Sequence, residues 1–175
     1  EEKRQAHAEL ARWRFAREGL AAYPDATFTL RLAFGVVRGG TRGGNEYPAT
    51  TTYRGLFARA AEKRDTPPFD LPPRWQSARD RLLADPRFPQ TPLNFASTVD
   101  IIGGNSGSPV VNAAGELVGV IFDGNIDSLV LDVAYDDGRA RAVVVDGRGI
   151  IAALEQVYQA GPLVRELLAG RAETR

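Results

Sequence analysis

The amino-acid sequence predicts a mainly β domain flanked by helices, on three observations. From Phe95 to Val145, short apolar runs are divided by glycine-bearing turns, the pattern of strands in a sheet. Thr27 to Val37 alternates around Phe28, Leu30, Leu32 and Phe34, the two-residue period of a half-buried strand. Both ends instead space their apolar residues as helices do.

The elements follow in order. Residues Glu1 to Gly19 are rich in Ala, Glu and Arg, and Leu10, Trp13 and Leu20 share one apolar face, so they form an amphipathic helix that Gly19 stops. Tyr23-Pro24-Asp25 punctuates before the alternating strand, and a glycine-rich turn, Gly39 to Asn45, follows it. Tyr47 to Pro92 holds most of the prolines, including Pro67-Pro68 and Pro72-Pro73, and is expected to be a long ordered connection with one or two short helices. Strands are expected at Phe95 to Ile102, Ser108 to Asn112, Leu117 to Phe122, Ser128 to Tyr135 and Ala140 to Val145, the last two joined by a hairpin turn at Asp136-Asp137-Gly138. Gly149 to Leu168 places Ile150, Leu154, Val157 and Tyr158 at helical spacing, and Gly161-Pro162 divides it into two pieces.

Composition excludes several classes of function. Lys plus Arg (22) equals Asp plus Glu (22), so no net positive field favours nucleic acid or an anionic membrane surface as partner. Without cysteine there is no disulfide scaffold, thiolate zinc site or cysteine nucleophile. No apolar run approaches the roughly 20 residues of a membrane helix. Asp132, Asp136 and Asp137 lack the alternating ligands and terminal Glu of a calcium loop, and no Gly-Lys-Ser/Thr follows Gly39 to Gly44. No metal and no cofactor are implied. The chain starts at Glu1 and has no methionine, so it is expected to be a piece of something longer.

The chemistry lies in Gly103-Gly104-Asn105-Ser106-Gly107-Ser108-Pro109-Val110-Val111-Asn112, followed by Gly115-Glu116-Leu117-Val118-Gly119-Val120. A serine nucleophile must project from a tight turn, with backbone N–H groups beside it for the oxyanion of the tetrahedral intermediate. Glycines at 103, 104 and 107 allow the backbone such a turn, and Pro109 fixes its exit into a strand. The Asn112 to Gly115 turn then returns the chain as a second strand.

This string resembles the nucleophile turn of chymotrypsin-fold peptidases, in the version with Asn before the serine. The resemblance makes Ser106 the nucleophile and the N–H groups of Gly104 and Ser106 the oxyanion hole. It also implies that an activation switch based on Asp at position 105 is absent. Further strings are Tyr23-Pro24-Asp25-Ala26-Thr27-Phe28-Thr29-Leu30-Arg31-Leu32, Thr98-Val99-Asp100-Ile101, Phe122-Asp123-Gly124-Asn125 and Val144-Val145-Asp146-Gly147-Arg148. Together they resemble the dipeptidyl-peptidase 7 and dipeptidyl-peptidase 11 family of bacterial serine peptidases, across nearly the whole chain and in order. The resemblance implies a chymotrypsin-like β-barrel, the C-terminal barrel of a double-barrel peptidase. Residues 1–22 would end a helical insert domain, 23–148 form the barrel, and 149–175 the closing helix. The implied function is a serine exopeptidase that releases dipeptides from peptide N-termini by acyl transfer through Ser106. Two alternatives are an HtrA-like serine endopeptidase, which shares Gly-Asn-Ser-Gly but not the Tyr-Pro-Asp and Phe-Asp-Gly-Asn strings, and a barrel-derived binding domain without chemistry.

A serine needs a base, and the only histidine, His7, sits among the charged residues of the first helix. The resemblance places the catalytic His and Asp upstream, in a missing N-terminal portion that would be a partner of this segment. It gives Asp123 a share in holding the substrate's α-ammonium, for which a carboxylate is the direct partner. It sets Gly124 where acid-selective members carry Arg, so a non-acidic penultimate residue is expected, and Ile126 where some members carry Trp. It implies a peptide substrate and a periplasmic or secreted location, and leaves a homodimer open.

Overall fold

The structure, a computed structural model, describes residues 2–18, 32–132 and 134–170, without the side chains of Lys3, Arg4, His7, Ala11, Phe15 and Asp132. Helix α1 spans Glu2–Glu18. Of its expected apolar face, Leu10 and Trp13 are exposed, with Arg17 over the Trp13 ring, and Leu20 lies outside the described residues. The stop at Gly19 and the Tyr23 to Arg31 part of the expected strand lie outside the described residues. The rest of that strand is corrected. Residues 32–36 form no ladder, Leu32 and Phe34 are fully solvent-facing at 88% and 87% exposure, and Val37 makes a single bridge to Ser97. Alternation alone cannot supply the neighbour that a strand needs for its backbone groups.

The glycine-rich turn is the tip of a hairpin, β1 (Gly40–Arg42) against β2 (Asn45–Tyr47). Gly43 and Gly44 both have positive φ, +57° and +80°, which matches the twist of a two-residue hairpin loop. After β3 (Thr50–Thr52) come two helices in the proline-rich connection, where one or two were expected, α2 (Tyr53–Glu62) and α3 (Pro73–Ala84). Thr52 Oγ1 caps α2 by accepting the Gly55 N–H, and proline stands at the start of α3, where its missing N–H costs nothing. Between them sits an apolar core of Tyr53, Phe57, Leu82, Phe88 and Val157. Tyr53 stacks on Phe88 with ring centroids 4.5 Å apart, and its hydroxyl donates to Gly149 O at 2.7 Å. Burial, with Tyr158 and Asp146 nearby, pushes the Tyr53 phenol up to about 12, so it stays a donor at any ordinary pH.

The main sheet has five antiparallel strands in the order β3-β4-β7-β6-β5, with β4 at Pro92–Ser97, β5 at Pro109–Val111, β6 at Leu117–Gly124 and β7 at Ala142–Asp146. Phe95, Ile121 and Val144, one from each of three adjacent strands, make its buried centre. Among the described residues this sheet does not close into the expected barrel: β3 and β5 remain its two edges. The strand expected at 27–37, which the barrel reading needs, falls mostly outside the described residues or runs without a ladder.

A second correction concerns residues 128–135, expected as a strand. Residues Ile126–Asp132 are a 3-10 helix. The Ser128 N–H and hydroxyl both donate to Asn125 O, at 2.9 and 2.7 Å, and this local bonding wins over a ladder. The Asp136 to Gly138 turn therefore links that helix to β7 rather than two strands; Asp136 Oδ1 accepts the Gly138 N–H at 2.8 Å.

β7 runs directly into α4 (Gly147–Gln156), which is followed by α5 (Gly161–Ala169). Asp146 is buried at the junction and caps α4 by accepting the Arg148 N–H at 2.9 Å. Arg148 folds back onto the same carboxylate, which holds the guanidinium pKa above its usual value. Arg148 is 72% exposed and the Asp146 side chain 3%, so solvent screens the guanidinium side of the pair, and the larger effect is assigned to the cap. Asp146→Ala should cost about 1–2 kcal/mol, a fall in Tm of several degrees, with Asp146→Asn recovering most of it. Thermal unfolding followed by circular dichroism checks this; equal loss in both variants would assign the effect to the ion pair.

Candidate active site

The loop between β4 and β5 presents Ser106. Asn105 closes the loop on itself: its N–H donates to Ile102 O at 3.1 Å, its Oδ1 accepts the Ile102 N–H at 2.8 Å, and its carbonyl accepts the Ser108 N–H at 2.9 Å. The amide side chain is thus committed within the turn. Gly104 and Gly107 flank the serine with φ of +103° and +90°, a region that side chains disfavour, so the tight turn requires glycine at both places. Gly107 N–H donates to Ile121 O at 2.8 Å and Ile121 N–H to Ser108 O at 3.0 Å, fastening the turn to β6.

Ser106 itself is exposed. Its hydroxyl lies 3.5 Å from Phe122 O, a long contact that leaves the proton available to a better acceptor. The N–H groups of Asn105, Gly107 and Ser108 are all engaged, whereas those of Gly104 and Ser106 have no acceptor among the described residues. Free backbone donors near a hydroxyl are the groups that an oxyanion hole uses.

Phe122 is an extra residue in β6: Ile121 pairs with Val144 and Asp123 with Val143, so the ladder slips at 122. Such bulges re-aim a strand locally; this one places the Phe122 carbonyl toward Ser106 and Asp123 immediately beyond it. Asp123 is exposed, and its Oδ1 accepts only the neighbouring Gly124 N–H, at 2.8 Å. It has carboxylate capacity left for a cation. Gly124, expected to leave open volume, is instead closely packed on its Cβ side by Ser128 and Ile101.

The chain leading into the turn carries Asp100, whose carboxyl burial pushes above the usual range. Its folded pKa then exceeds its unfolded one, so the folded state bears a cost that is absent below the ordinary carboxylate pKa, grows between that value and the raised one, and is constant above it.

Sequence reasoning missed two contributors. Asn125 is the hub behind Gly124: its N–H donates to Arg141 O at 2.9 Å, its Oδ1 accepts the Arg141 N–H at 2.9 Å, and its Nδ2 donates to Arg139 O at 2.8 Å. Arg141 is 3% exposed and spends its guanidinium on the backbone carbonyls of Gly39, Asp137, Gly138 and Ala140. An arginine inside an apolar-polar alternation gives no local sign that its partners are carbonyls. His7 lies in α1 with its side chain outside the described residues, and no group of metal-ligating side chains occurs among the described residues. Nor is any described helix long and apolar enough to cross a membrane.

Known proteins resemble this arrangement. The Peptidase S46 family profile matches residues 1–169. Dipeptidyl-peptidase 7 of Phocaeicola vulgatus is 35% identical over 148 residues, covering 82% of this chain and 20% of that protein. The Asp/Glu-specific dipeptidyl-peptidase of Shewanella putrefaciens is 34% identical over 174 residues, covering 83% of this chain and 23% of that protein. The crystal structure of Porphyromonas endodontalis DPP11 in complex with the dipeptide Arg-Asp superposes with a TM-score of 0.72 at 27% identity, over 87% of this chain and 22% of that one. The chain spans about a fifth of the length of the relatives it matches. With a profile match over nearly all its residues, this chain belongs to the Peptidase S46 family.

Proposed function

We propose that these residues are the nucleophile-bearing segment of a serine dipeptidyl-peptidase that releases dipeptides from free peptide N-termini. The observation that carries the reading is Ser106, exposed between two positive-φ glycines beside the free N–H groups of Gly104 and Ser106. Ser106 Oγ attacks the carbonyl of the second substrate residue while a histidine from another part of the polypeptide takes its proton. The oxyanion rests on the two N–H groups. The peptide amine leaves with that proton, and water then hydrolyses the dipeptidyl ester. Asp123 holds the α-ammonium, which fixes the cut two residues from the N-terminus. The barrel of the chymotrypsin type, with its missing N-terminal half, and a periplasmic or secreted setting belong to the same proposal.

For the second substrate residue the reading is non-acidic. A dipeptidyl-peptidase 7 and an Asp/Glu-specific dipeptidyl-peptidase are about equally similar, at 35% and 34% identity, so kinship does not choose between an acidic and a non-acidic second residue. What supports the non-acidic reading is that Gly124 provides no cation for a substrate carboxylate.

The test uses the full-length polypeptide containing these residues, with peptides bearing Leu or Asp at position two and either a free or an acetylated N-terminus. Dipeptides should appear only from free amines, with kcat/KM at least about tenfold higher for Leu than for Asp. Internal cleavage would overturn the exopeptidase reading, and a preference for Asp the pocket reading.

A further inference from the structure

Helix α3 carries Arg74, Ser77, Ala78 and Arg81, a spacing of three, four and seven residues that gathers them on one helix face. A cleft of about 480 Å³ lies between that face and the junction of α4 with α5. Ala78 and the buried Val157 make part of its lining apolar, Arg74 and Arg81 bring two cations, and no acidic side chain lines it. Both guanidiniums are held from the α4–α5 side. That of Arg74 lies over the Tyr158 ring, 5.5 Å from its centroid, and the Tyr158 hydroxyl accepts the Trp75 Nε1–H at 3.2 Å. Arg81 donates through one nitrogen to Gln156 O at 2.6 Å, at the C-terminal end of α4 where carbonyls favour a cation. Neither arginine is ion-paired among the described residues. Asp85, an acid that feels the Arg81 charge, is turned to the N–H groups of Phe88 and Arg87 at 2.7 and 2.8 Å, which together hold its carboxyl below the usual range. A chain of balanced charge thus keeps two fixed cations around an apolar centre with donors to spare.

The cleft is separate from Ser106. The serine lies against Phe122 O, near the end of β6 where Gly124 pairs with Ala142, whereas α4 leaves β7 from the opposite end, where Asp146 pairs with Gly119. We propose that this cleft is a second binding site, for an acidic peptide segment that presents two carboxylates across a short apolar centre. Seven helical residues set the two arginine backbones about 10 Å apart along the axis, and three residues of extended peptide span about the same length. Each guanidinium then offers its planar fork to one carboxylate, and small apolar residues between them cover Ala78 and Val157. The site does not depend on Ser106 being a nucleophile, so the two readings fail separately.

The experiment is calorimetric titration of the full-length polypeptide with acetyl-Glu-Ala-Ala-Glu-amide, whose blocked N-terminus keeps it out of exopeptidase cleavage. The neutral acetyl-Gln-Ala-Ala-Gln-amide and inorganic phosphate serve as comparisons. The acidic peptide should bind saturably and at least about tenfold tighter than either. Arg74→Ala and Arg81→Ala should each weaken it about tenfold, and Arg81→Lys should weaken it too, since lysine keeps the charge and loses the fork. Tyr158→Leu should do the same without removing a charge, because Arg74 loses the ring it lies over. Both arginines are exposed, so Tm and fluorophosphonate labelling should stay as in wild type in the alanine variants. Absence of saturable binding, equal binding of the neutral peptide, equal binding of phosphate, or affinity unchanged in both alanine variants would each overturn the proposal.

Discussion

Ser106→Ala in the full-length polypeptide should lower turnover by about 10⁶, the scale on which a triad serine matters. The size follows from chemistry rather than binding. Without Oγ there is no acyl intermediate, and only the oxyanion donors and substrate positioning remain, which leave some residual rate over water. The free N–H groups of Gly104 and Ser106 persist in the alanine variant, because the turn is held by Asn105 and by the Gly107 bond to Ile121. KM should accordingly change little while kcat collapses. Steady-state kinetics together with fluorophosphonate labelling checks both halves: the variant should bind substrate and take no label. A variant retaining a tenth of wild-type activity would remove Ser106 from the reaction. Gly104→Ala provides a complementary probe, since its φ of +103° strains any side chain and displaces a proposed oxyanion donor.

Asp123→Ala should lower kcat/KM on free-amine substrates by about 10²-fold. The carboxylate is exposed without substrate and uses one oxygen on the Gly124 N–H, so removing it leaves no buried partner unpaired in the free protein and stability should hardly move. The loss arises when substrate covers the site: the α-ammonium is then desolvated with its partner missing, an asymmetry that makes truncated charge pairs costly. Asp123→Asn should fall between, keeping the acceptor and losing the charge. Substrates with blocked N-termini are the control. If Asp123→Ala lost the same factor on them, the residue would be shaping the β6 bulge instead of holding the amine.

Much of the candidate site was legible because its requirements are local. A serine that must protrude from a strand-connecting turn needs small neighbours and a fixed exit, and Gly103 to Pro109 states those needs within seven residues. The helices at both ends were legible for the same reason, since apolar periodicity acts within a turn or two, whereas the proline-rich connection was read only as holding one or two short helices and the Thr52 cap of α2 came from the structure. The strand readings at 32–36 and 128–135 failed where locality fails. Alternation at Leu32 and Phe34 promised burial that no neighbour supplies among the described residues, and the apolar run after Ile126 was captured by the bonds of Ser128 to Asn125.

By itself, then, the sequence determined the turn that displays Ser106, the acidic residue at 123 and the helical ends, because each follows from short-range sterics, capping and spacing. Only the tertiary structure decided which surface faces Gly124, that Phe122 is squeezed out of the ladder toward Ser106, and that Arg141 is buried on carbonyls. These depend on strands and loops far apart in sequence meeting at van der Waals distance, and no local pattern specifies which side chain arrives.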